Sequence, residues 1–208
     1  MATYYKDLWD YAAILCHLPT WTYNNETYDF SANVDSAAVI QKALNEAIGK
    51  IIKERYAPVI KNEEITNLEP WEVLDCSLLK EKLYKVIDVK VNDVSINFEY
   101  DLHNKELILS SEYPASTVFS IDYEYMPVDI PLKYDSATAV ENPFPDNIVD
   151  INIICYYAAS AWYKWQGGEE DIKAASRNYD DWYAGFSNIY NPTKEPEVVK
   201  NVYGGGIW

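Results

Sequence analysis

The sequence predicts an α+β fold: a helical domain, made of N-terminal helices and a C-terminal antiparallel helical hairpin, with an inserted four-stranded antiparallel β-meander. Apolar residues recur every three or four positions in stretches before residue 84 and again after residue 146, and every second position in the strand segments of residues 84–126. A chain of 208 residues is long enough to bury a substantial core. The predicted segments are an N-terminal helical region with a long loop (1–83), the β-meander (84–126), a proline-rich connection (127–145), the helical hairpin (146–190) and a flexible tail (191–208).

The N-terminal region opens with a helical pattern. Apolar side chains recur at helical spacing over residues 5–15, and Pro19 ends the pattern. Residues 21–33 mix Asn, Thr and Tyr without a clear period. We therefore expect a short helix followed by an extended loop.

A second helix is predicted after this loop. Asp35 or Ser36 can accept the free backbone N–H groups of a helix start, and apolar residues then fall on one face. The helix should end before Pro58, because proline cannot continue it. Residues 70–83 suggest a further short helical piece.

The period-two alternation predicts four strands. The first two are joined at Asn92-Asp93, a pair of residues typical of tight hairpins. The other two lie around residues 107–109 and 119–125. Alternating apolar residues should place one face of the meander against a core and leave the other in water. These residues are Ile87, Val89, Val91, Val94, Ile96, Phe98, Tyr100, Leu107, Leu109, Phe119, Ile121, Tyr123 and Tyr125.

The C-terminal helical hairpin is the best-defined pattern. Residues 127–145 hold four prolines and cannot continue a ladder, so the next helix begins after them, with Asp146 as its predicted N-cap. Gly167-Gly168 separates two apolar seams of matched length, which predicts two antiparallel helices. The seam residues are Ile148, Ile151, Cys155, Ala158, Trp162 and Trp165 in the first helix and Ile172, Ala175, Tyr179, Trp182, Phe186 and Ile189 in the second.

Aromatic residues are unusually frequent, with nineteen Tyr and seven Trp. Such side chains are enriched where subunits meet, because they combine a large apolar body with a polar group. Tyr156, Tyr157, Tyr163 and Tyr183 lie off the two helical seams, which makes them candidate subunit contacts. A tyrosine-rich core is the alternative interpretation of the same composition.

The charge and cysteine content exclude several classes of function. A net charge of −16 argues against binding a nucleic acid backbone, which depends on clustered Lys and Arg. Three cysteines without CxxC spacing predict neither a disulfide framework nor a zinc site, and fit a reducing cytoplasm. No stretch approaches the roughly twenty apolar residues that a membrane-spanning helix needs.

The sequence lacks the patterns of known catalytic sites, so we expect no enzyme, cofactor or metal. It has no dinucleotide or phosphate loop, no zinc-protease motif and no nucleophile elbow. Its histidines, His17 and His103, fall at a helix end and in a predicted turn. Adjacent carboxylates on a helix point in different directions, which argues against glycosidase chemistry at such pairs. The pairs considered are Glu63-Glu64, Glu169-Glu170 and Asp180-Asp181.

The order of elements in residues 84–190 resembles that of the head-to-tail connector, or adaptor, proteins of tailed bacteriophages. A strand ends at Tyr125 with Pro127 two positions later. A proline-led helix rich in Ala and Tyr follows from Pro145 to Trp165, and a helix with an Ala and aromatic seam runs from Ile172 to Ile189. The resemblance covers about half of the chain.

This resemblance implies a structural virion protein of the neck or tail, made in the bacterial cytoplasm. Such proteins form a ring, commonly of twelve copies, below the portal. The ring extends the DNA channel without binding DNA specifically and gives the tail or stopper proteins a docking surface. The C-terminal segment often reaches the portal, a role for which Tyr203, Ile207 and Trp208 provide apolar anchors.

Two alternatives remain at this point. A tail-completion or baseplate subunit would share the acidity and the assembly surfaces. A carbohydrate-binding module would need exposed aromatic residues on the meander, such as Trp71, Tyr123 and Tyr125. The strand alternation argues against the module, because it places Tyr123 and Tyr125 on the face expected to be buried.

Overall fold

The computed structural model of the chain describes residues 4–18, 22–24, 27–29, 34–66, 71–101, 106–127, 129–130, 142–144 and 148–189. Helices at both ends of this part flank a region of antiparallel strands, which confirms the predicted α+β class. The helices within the described residues are α1 (Tyr4–Leu15), α2 (Val34–Glu54), α3 (Ile151–Gln166) and α4 (Glu169–Asn188).

The described strands belong to two main sheets and one small hairpin, with all pairs antiparallel. The strands are β1 (Thr22–Asn24), β2 (Thr27–Asp29), β3 (Val59–Thr66), β4 (Trp71–Asp75), β5 (Lys82–Val91), β6 (Val94–Ser95), β7 (Phe98–Asp101), β8 (Glu106–Tyr113) and β9 (Val118–Met126). One main sheet has the order β3-β9-β5-β6, the other has the order β4-β8-β7, and β1 pairs with β2. A 3₁₀ turn, Cys76–Leu78, lies between β4 and β5.

Strands replace loop and helix in part of the N-terminal region. The segment predicted as an extended loop contains β1 and β2, and the helical piece predicted over residues 70–83 was wrong, since it holds β4, the 3₁₀ turn and the start of β5. The reason is pairing with distant residues: β4 pairs with β8, and the preceding strand β3 pairs with β9. Such partners are not visible in the local sequence.

Two predicted helix starts shift by a few residues. Helix α2 begins at Val34, so Asp35 and Ser36 lie in its first turn. Helix α3 begins at Ile151, and its N-cap is Asp150, whose Oδ1 accepts a hydrogen bond from the backbone N of Asn152 at 2.9 Å. Asp146, the predicted N-cap, lies outside the described residues.

The strands predicted as a meander are present, but they divide between the two sheets. Asn92 and Asp93 form the predicted turn, with φ of 50° and 62°, and join β5 to the short β6. The chain then enters the other sheet as β7 and β8, and returns as β9 to pair with β5. A register shift between Val86 and Asp88 leaves Ile87 exposed, contrary to the predicted alternation.

A helical core joins the four helices. It contains buried aliphatic and aromatic residues from α1, α2, α3 and α4, together with Ile130, Phe144 and Val149. Ile130 is fixed by α2: its backbone N donates to Asn45 Oδ1 at 2.9 Å, and its carbonyl accepts from Gln41 Nε2 at 2.8 Å. This attaches part of the proline-rich connection to the helical layer.

A separate sheet core lies between the strands. Its members are Ile65, Leu74, Cys76, Leu79, Val86, Val89, Leu107, Leu109, Phe119, Ile121 and Tyr123. The buried carboxylate of Glu63 accepts a hydrogen bond from Tyr123 Oη at 2.6 Å and another from the backbone N of Lys80 at 2.9 Å. Burial, followed by this hydrogen bond, raises the pKa of Tyr123.

The connection between α3 and α4 forms as predicted. Gly167 is the C-cap of α3 in the left-handed conformation, with φ of 78°, and Gly168 is the N-cap of α4. Ser160 Oγ on α3 donates to the carbonyl of Ala175 on α4 at 2.8 Å. Close approach at the other end requires Gly185, because a Cβ there would lie 2.6 Å from Ile153 Cγ1. The two helices therefore pack tightly along their length.

Candidate assembly surface

Helix α4 carries two apolar stripes, and only one of them is buried. Ala175, Trp182, Phe186 and the following Ile189 face the helical core as predicted. Three other predicted seam residues do not: Ile172 is 55% exposed, Tyr179 is 45% exposed, and Trp165 at the end of α3 is 51% exposed. The assignment of these three residues to the buried seam was wrong.

The second stripe of α4 faces solvent. Ile172, Ser176, Tyr179 and Tyr183 follow one another at spacings of four, three and four residues, which places them on one side of the helix. Tyr183 is 56% exposed, and its ring stacks on Tyr179 with centroids 6.5 Å apart. We call these four residues the α4 outer face. Exposed apolar patches of this kind mark interaction sites.

Tyr157 contacts its own chain on several sides. Its hydroxyl accepts a hydrogen bond from Lys50 Nζ at 3.1 Å and donates to Glu46 Oε2 at 3.3 Å. Its ring lies 4.9 Å from that of Trp182, centroid to centroid. The hydrogen bond to Tyr157 raises the pKa of Lys50, so this ammonium stays charged. Tyr157 therefore joins α2, α3 and α4, and only part of its side chain is accessible to another subunit.

Tyr156 and Tyr163 join α3 to the N-terminal helix. The ring of Tyr156 meets that of Tyr11 edge to face with centroids 6.5 Å apart, and it remains half-buried. Tyr163 is buried, and its hydroxyl donates to the carbonyl of Leu15 at 3.0 Å. Tyr163 is thus a core residue rather than a surface contact. Among the four candidate tyrosines, Tyr183 alone is largely exposed.

Two cations, one in α2 and one directly after its end, cover the aromatic side chains of α4. Lys50 Nζ lies 5.3 Å from the ring centre of Trp182, and Arg55 Cζ lies 4.7 Å from that of Phe186. Both distances fit cation–π contacts. These contacts support the buried stripe of α4 and leave the α4 outer face uncovered.

An open groove adjoins the α4 outer face, with a volume of about 560 Å³. Its apolar surface comes from α4, and Lys164 and Asp180 bring one positive and one negative side chain. The groove is therefore neutral overall and suited to an apolar segment. Its lining residues are Ser160, Lys164, Gly167, Ile172, Ala175, Ser176, Tyr179 and Asp180.

The other predicted anchors, Tyr203, Ile207 and Trp208, lie outside the described residues. The surface positions of Ile172 and Tyr179 were not predicted, although both stripes of α4 are visible in the sequence. To predict which of the two stripes is buried, one must know which side of α4 is covered by α2 and α3. Gly185 gives a clue, because a small residue favours close approach of a neighbouring helix on its own side.

The residues considered for chemistry do not converge in the described part of the chain. Glu63 is buried and Glu64 is exposed, so this pair lies on opposite faces of β3. His17 is exposed after α1, and His103 lies outside the described residues. No group of three or more His, Cys, Asp or Glu side chains that could hold a metal occurs among the described residues.

The aromatic residues considered for sugar stacking occupy different environments. Tyr123 is fully buried in the sheet core, as the strand alternation predicts, and Tyr125 packs against it half-buried. The side chain of Trp71 lies outside the described part. Tyr123 is therefore inaccessible to a carbohydrate ligand.

Comparison with known proteins leaves the class open: no protein-family model and no curated protein matches the sequence. Within the described ranges, no helix has the length and apolarity required to cross a membrane.

Proposed function

We propose that the chain is a structural virion protein, the head-to-tail adaptor of a tailed bacteriophage. In this proposal, copies form a ring below the portal, commonly of twelve subunits, which extends the DNA channel and docks tail or stopper proteins. The protein is made in the bacterial cytoplasm and acts in the neck of the particle, without catalytic chemistry. The observation that carries the proposal is the α4 outer face, where Ile172, Tyr179 and Tyr183 are exposed on a helix whose other side is well packed.

Two further features support an assembly role. The order of strand, proline-rich connection and paired helices is the one that resembles adaptor proteins. The net charge of −16 favours a channel through which DNA passes, because like charges remove the attraction that would retain it. Tyr183 is the proposed subunit contact, with partial contributions from Tyr156 and Tyr157. Tyr203, Ile207 and Trp208 are the proposed portal anchors.

Light scattering on the purified chain, alone and mixed with its portal protein, tests the proposal. We expect a ring-sized assembly in at least one condition, and a strict monomer in both would contradict the proposal. Tyr183→Ser should weaken assembly, because it removes an exposed aromatic ring without opening a cavity. Ala184→Ser, at an exposed neighbouring position, is the matched control and should assemble normally.

Particle imaging separates the adaptor from a tail-completion or baseplate subunit. Density for the chain directly below the portal supports the adaptor, whereas density at the far end of the tail supports the alternative. Removing residues 203–208 should leave the fold intact and weaken portal attachment. Unchanged attachment would exclude the proposed anchoring role of this segment.

A further inference from the structure

The α4 outer face needs a cover that is apolar and nearly neutral. Ile172, Tyr179 and Tyr183 expose 55%, 45% and 56% of their surface, and the adjoining groove carries one lysine and one aspartate. Exposing this much apolar surface is unfavourable in water. A charged segment would gain little there, whereas aliphatic and aromatic side chains would be removed from solvent.

The segment that follows α4 in the sequence has this chemistry. Residues 190–208 include Val198, Val199, Val202, Tyr203, Ile207 and Trp208. The groove residue Ile172 lies about 25 Å from Ile189 along α4, at 1.5 Å per helical residue. The 18 residues from Ile189 to Ile207 can span roughly 60 Å when extended, which is more than twice this distance. Gly204, Gly205 and Gly206 allow the backbone to turn beside the groove.

We infer that residues 203–208 dock on the α4 outer face of their own chain, with Ile207 and Trp208 in the groove between α3 and α4. The covalent connection favours the same chain, since a short linker holds the segment at an effective concentration near millimolar. The same segment of a second copy lacks this connection, so it competes only when the second copy is present at a comparable concentration. Docking does not rest on the proposed ring, although ring assembly would have to displace the segment.

A disulfide cross-link tests this docking in the full-length chain. Ser176 is exposed beside the groove, and Gly206 precedes the two proposed anchors. The double variant Ser176→Cys/Gly206→Cys should form an intramolecular disulfide under mild oxidation in dilute solution, detected as a monomer of altered mobility. The native thiols will not compete, because all three are buried and burial raises the pKa of Cys16 to about 12 and that of Cys76 to about 11.

A matched variant shows whether the cross-link reports docking. Asp181→Cys/Gly206→Cys places the first thiol at an exposed position on the polar side of α4 and should give much less cross-link. Adding Trp208→Ser to the Ser176 pair should reduce its yield to that of this control. Equal yields for the Ser176 and Asp181 pairs would overturn the inference. Covalent dimers from mixed single variants Ser176→Cys and Gly206→Cys would also overturn it, since they place the segment on another chain. The cross-link is measured on the monomer in dilute solution. An absent cross-link therefore contradicts the docking of residues 203–208 without bearing on whether the chain forms a ring.

Discussion

The helical core and the sheet core differ in the sequence distance of the contacts that build them. The hairpin of α3 and α4 closes over two glycines and contributes a continuous part of the helical core. In the sheet core, β9 pairs with β3 across about sixty residues and with β5 after two intervening strands in the other sheet. The local spacing of apolar residues therefore predicts much of the helical core. For the sheet core it predicts the individual strands but not how they pair.

The two regions also differ in the surfaces that they present. Half-buried positions of the β3-β9-β5-β6 sheet include charged groups in mutual contact, such as Lys90 with Asp122 at 3.0 Å and with Asp88 at 3.5 Å. The strands also expose apolar side chains, such as Val94 and Ile108. The exposed stripe on α4 differs because its tyrosine rings stack on each other and it adjoins a groove, so the candidate interaction site lies on the helices.

The largest expected effect comes from the buried stripe of α4. Trp182 is 3% exposed and contacts Tyr157, Tyr179 and Phe186, so Trp182→Ala should remove about 3–5 kcal/mol from the free energy of unfolding. Urea denaturation followed by circular dichroism measures this loss.

Trp165→Ala is the control for Trp182→Ala, because it replaces the same residue type in the same helical hairpin. Trp165 is half-exposed at the end of α3, and its replacement should change stability by about 0.5 kcal/mol or less. Equal losses for the two variants would contradict the division between buried and exposed stripes.

These two tryptophans show how far the sequence predicts the helical region. The glycine connection, the antiparallel hairpin and the core positions of Trp162, Trp182 and Phe186 follow from spacing alone. Trp165 satisfies the same spacing, but α3 ends one residue later, at Gln166, where no further turn of helix covers it. The spacing of apolar residues predicts which of them share one side of a helix. Whether that side is buried also depends on where the neighbouring helices lie.

The strands were predicted less completely, for a different physical reason. Ile87 continues the alternation of β5 in sequence, but the register shift beside it turns its side chain to solvent. The strand β3 was missed because Glu63 and Glu64 interrupt its apolar pattern. Glu63 is nevertheless buried, since Tyr123 and the backbone of Lys80 both donate to its carboxylate. Such a site depends on residues 17 and 60 positions away in the sequence.

The buried carboxylate gives the second prediction, within the sheet core. Glu63→Gln should lower the free energy of unfolding by about 1–2 kcal/mol, because only one accepting oxygen remains for Tyr123 and Lys80 and the hydrogen bonds lose their assistance by the carboxylate charge. Glu64→Gln, at the neighbouring exposed position of β3, should have little effect. Chemical denaturation of both variants measures the difference, and identical midpoints would show that the buried hydrogen bonds contribute nothing.

A third prediction compares two glycines within helices. A Cβ at Gly185 would lie 2.6 Å from Ile153, so Gly185→Ala should separate α3 from α4 locally and reduce stability by about 1–2 kcal/mol. At Gly49 in α2 an added Cβ meets no atom within 4 Å. Gly49→Ala should therefore stabilise the chain by about 0.5–1 kcal/mol, because alanine loses less conformational entropy in a helix. Thermal unfolding should show shifts of opposite sign, and shifts of the same sign would contradict the close packing of α3 on α4.

The smallest expected effect lies on the charged surface of the sheet. Burial would raise the pKa of Asp122, but a hydrogen bond from the Asn62 backbone N at 2.7 Å and the contact with Lys90 outweigh it and lower the pKa. A carboxylate with a lowered folded-state pKa stabilises the fold above its unfolded-state pKa of about 3.9 and loses this contribution as the pH falls through the folded-state value.

Asp122→Asn should therefore reduce stability by at most about 1 kcal/mol at pH 7, as expected for a partly solvated ion pair. The difference between wild type and variant should diminish as the pH falls below about 4, where the carboxyl group of the wild type becomes protonated. Urea denaturation at several pH values tests this dependence, with Asp181→Asn as the exposed control. A difference that stays constant down to pH 2 would assign the effect of Asp122 to packing rather than to its charge.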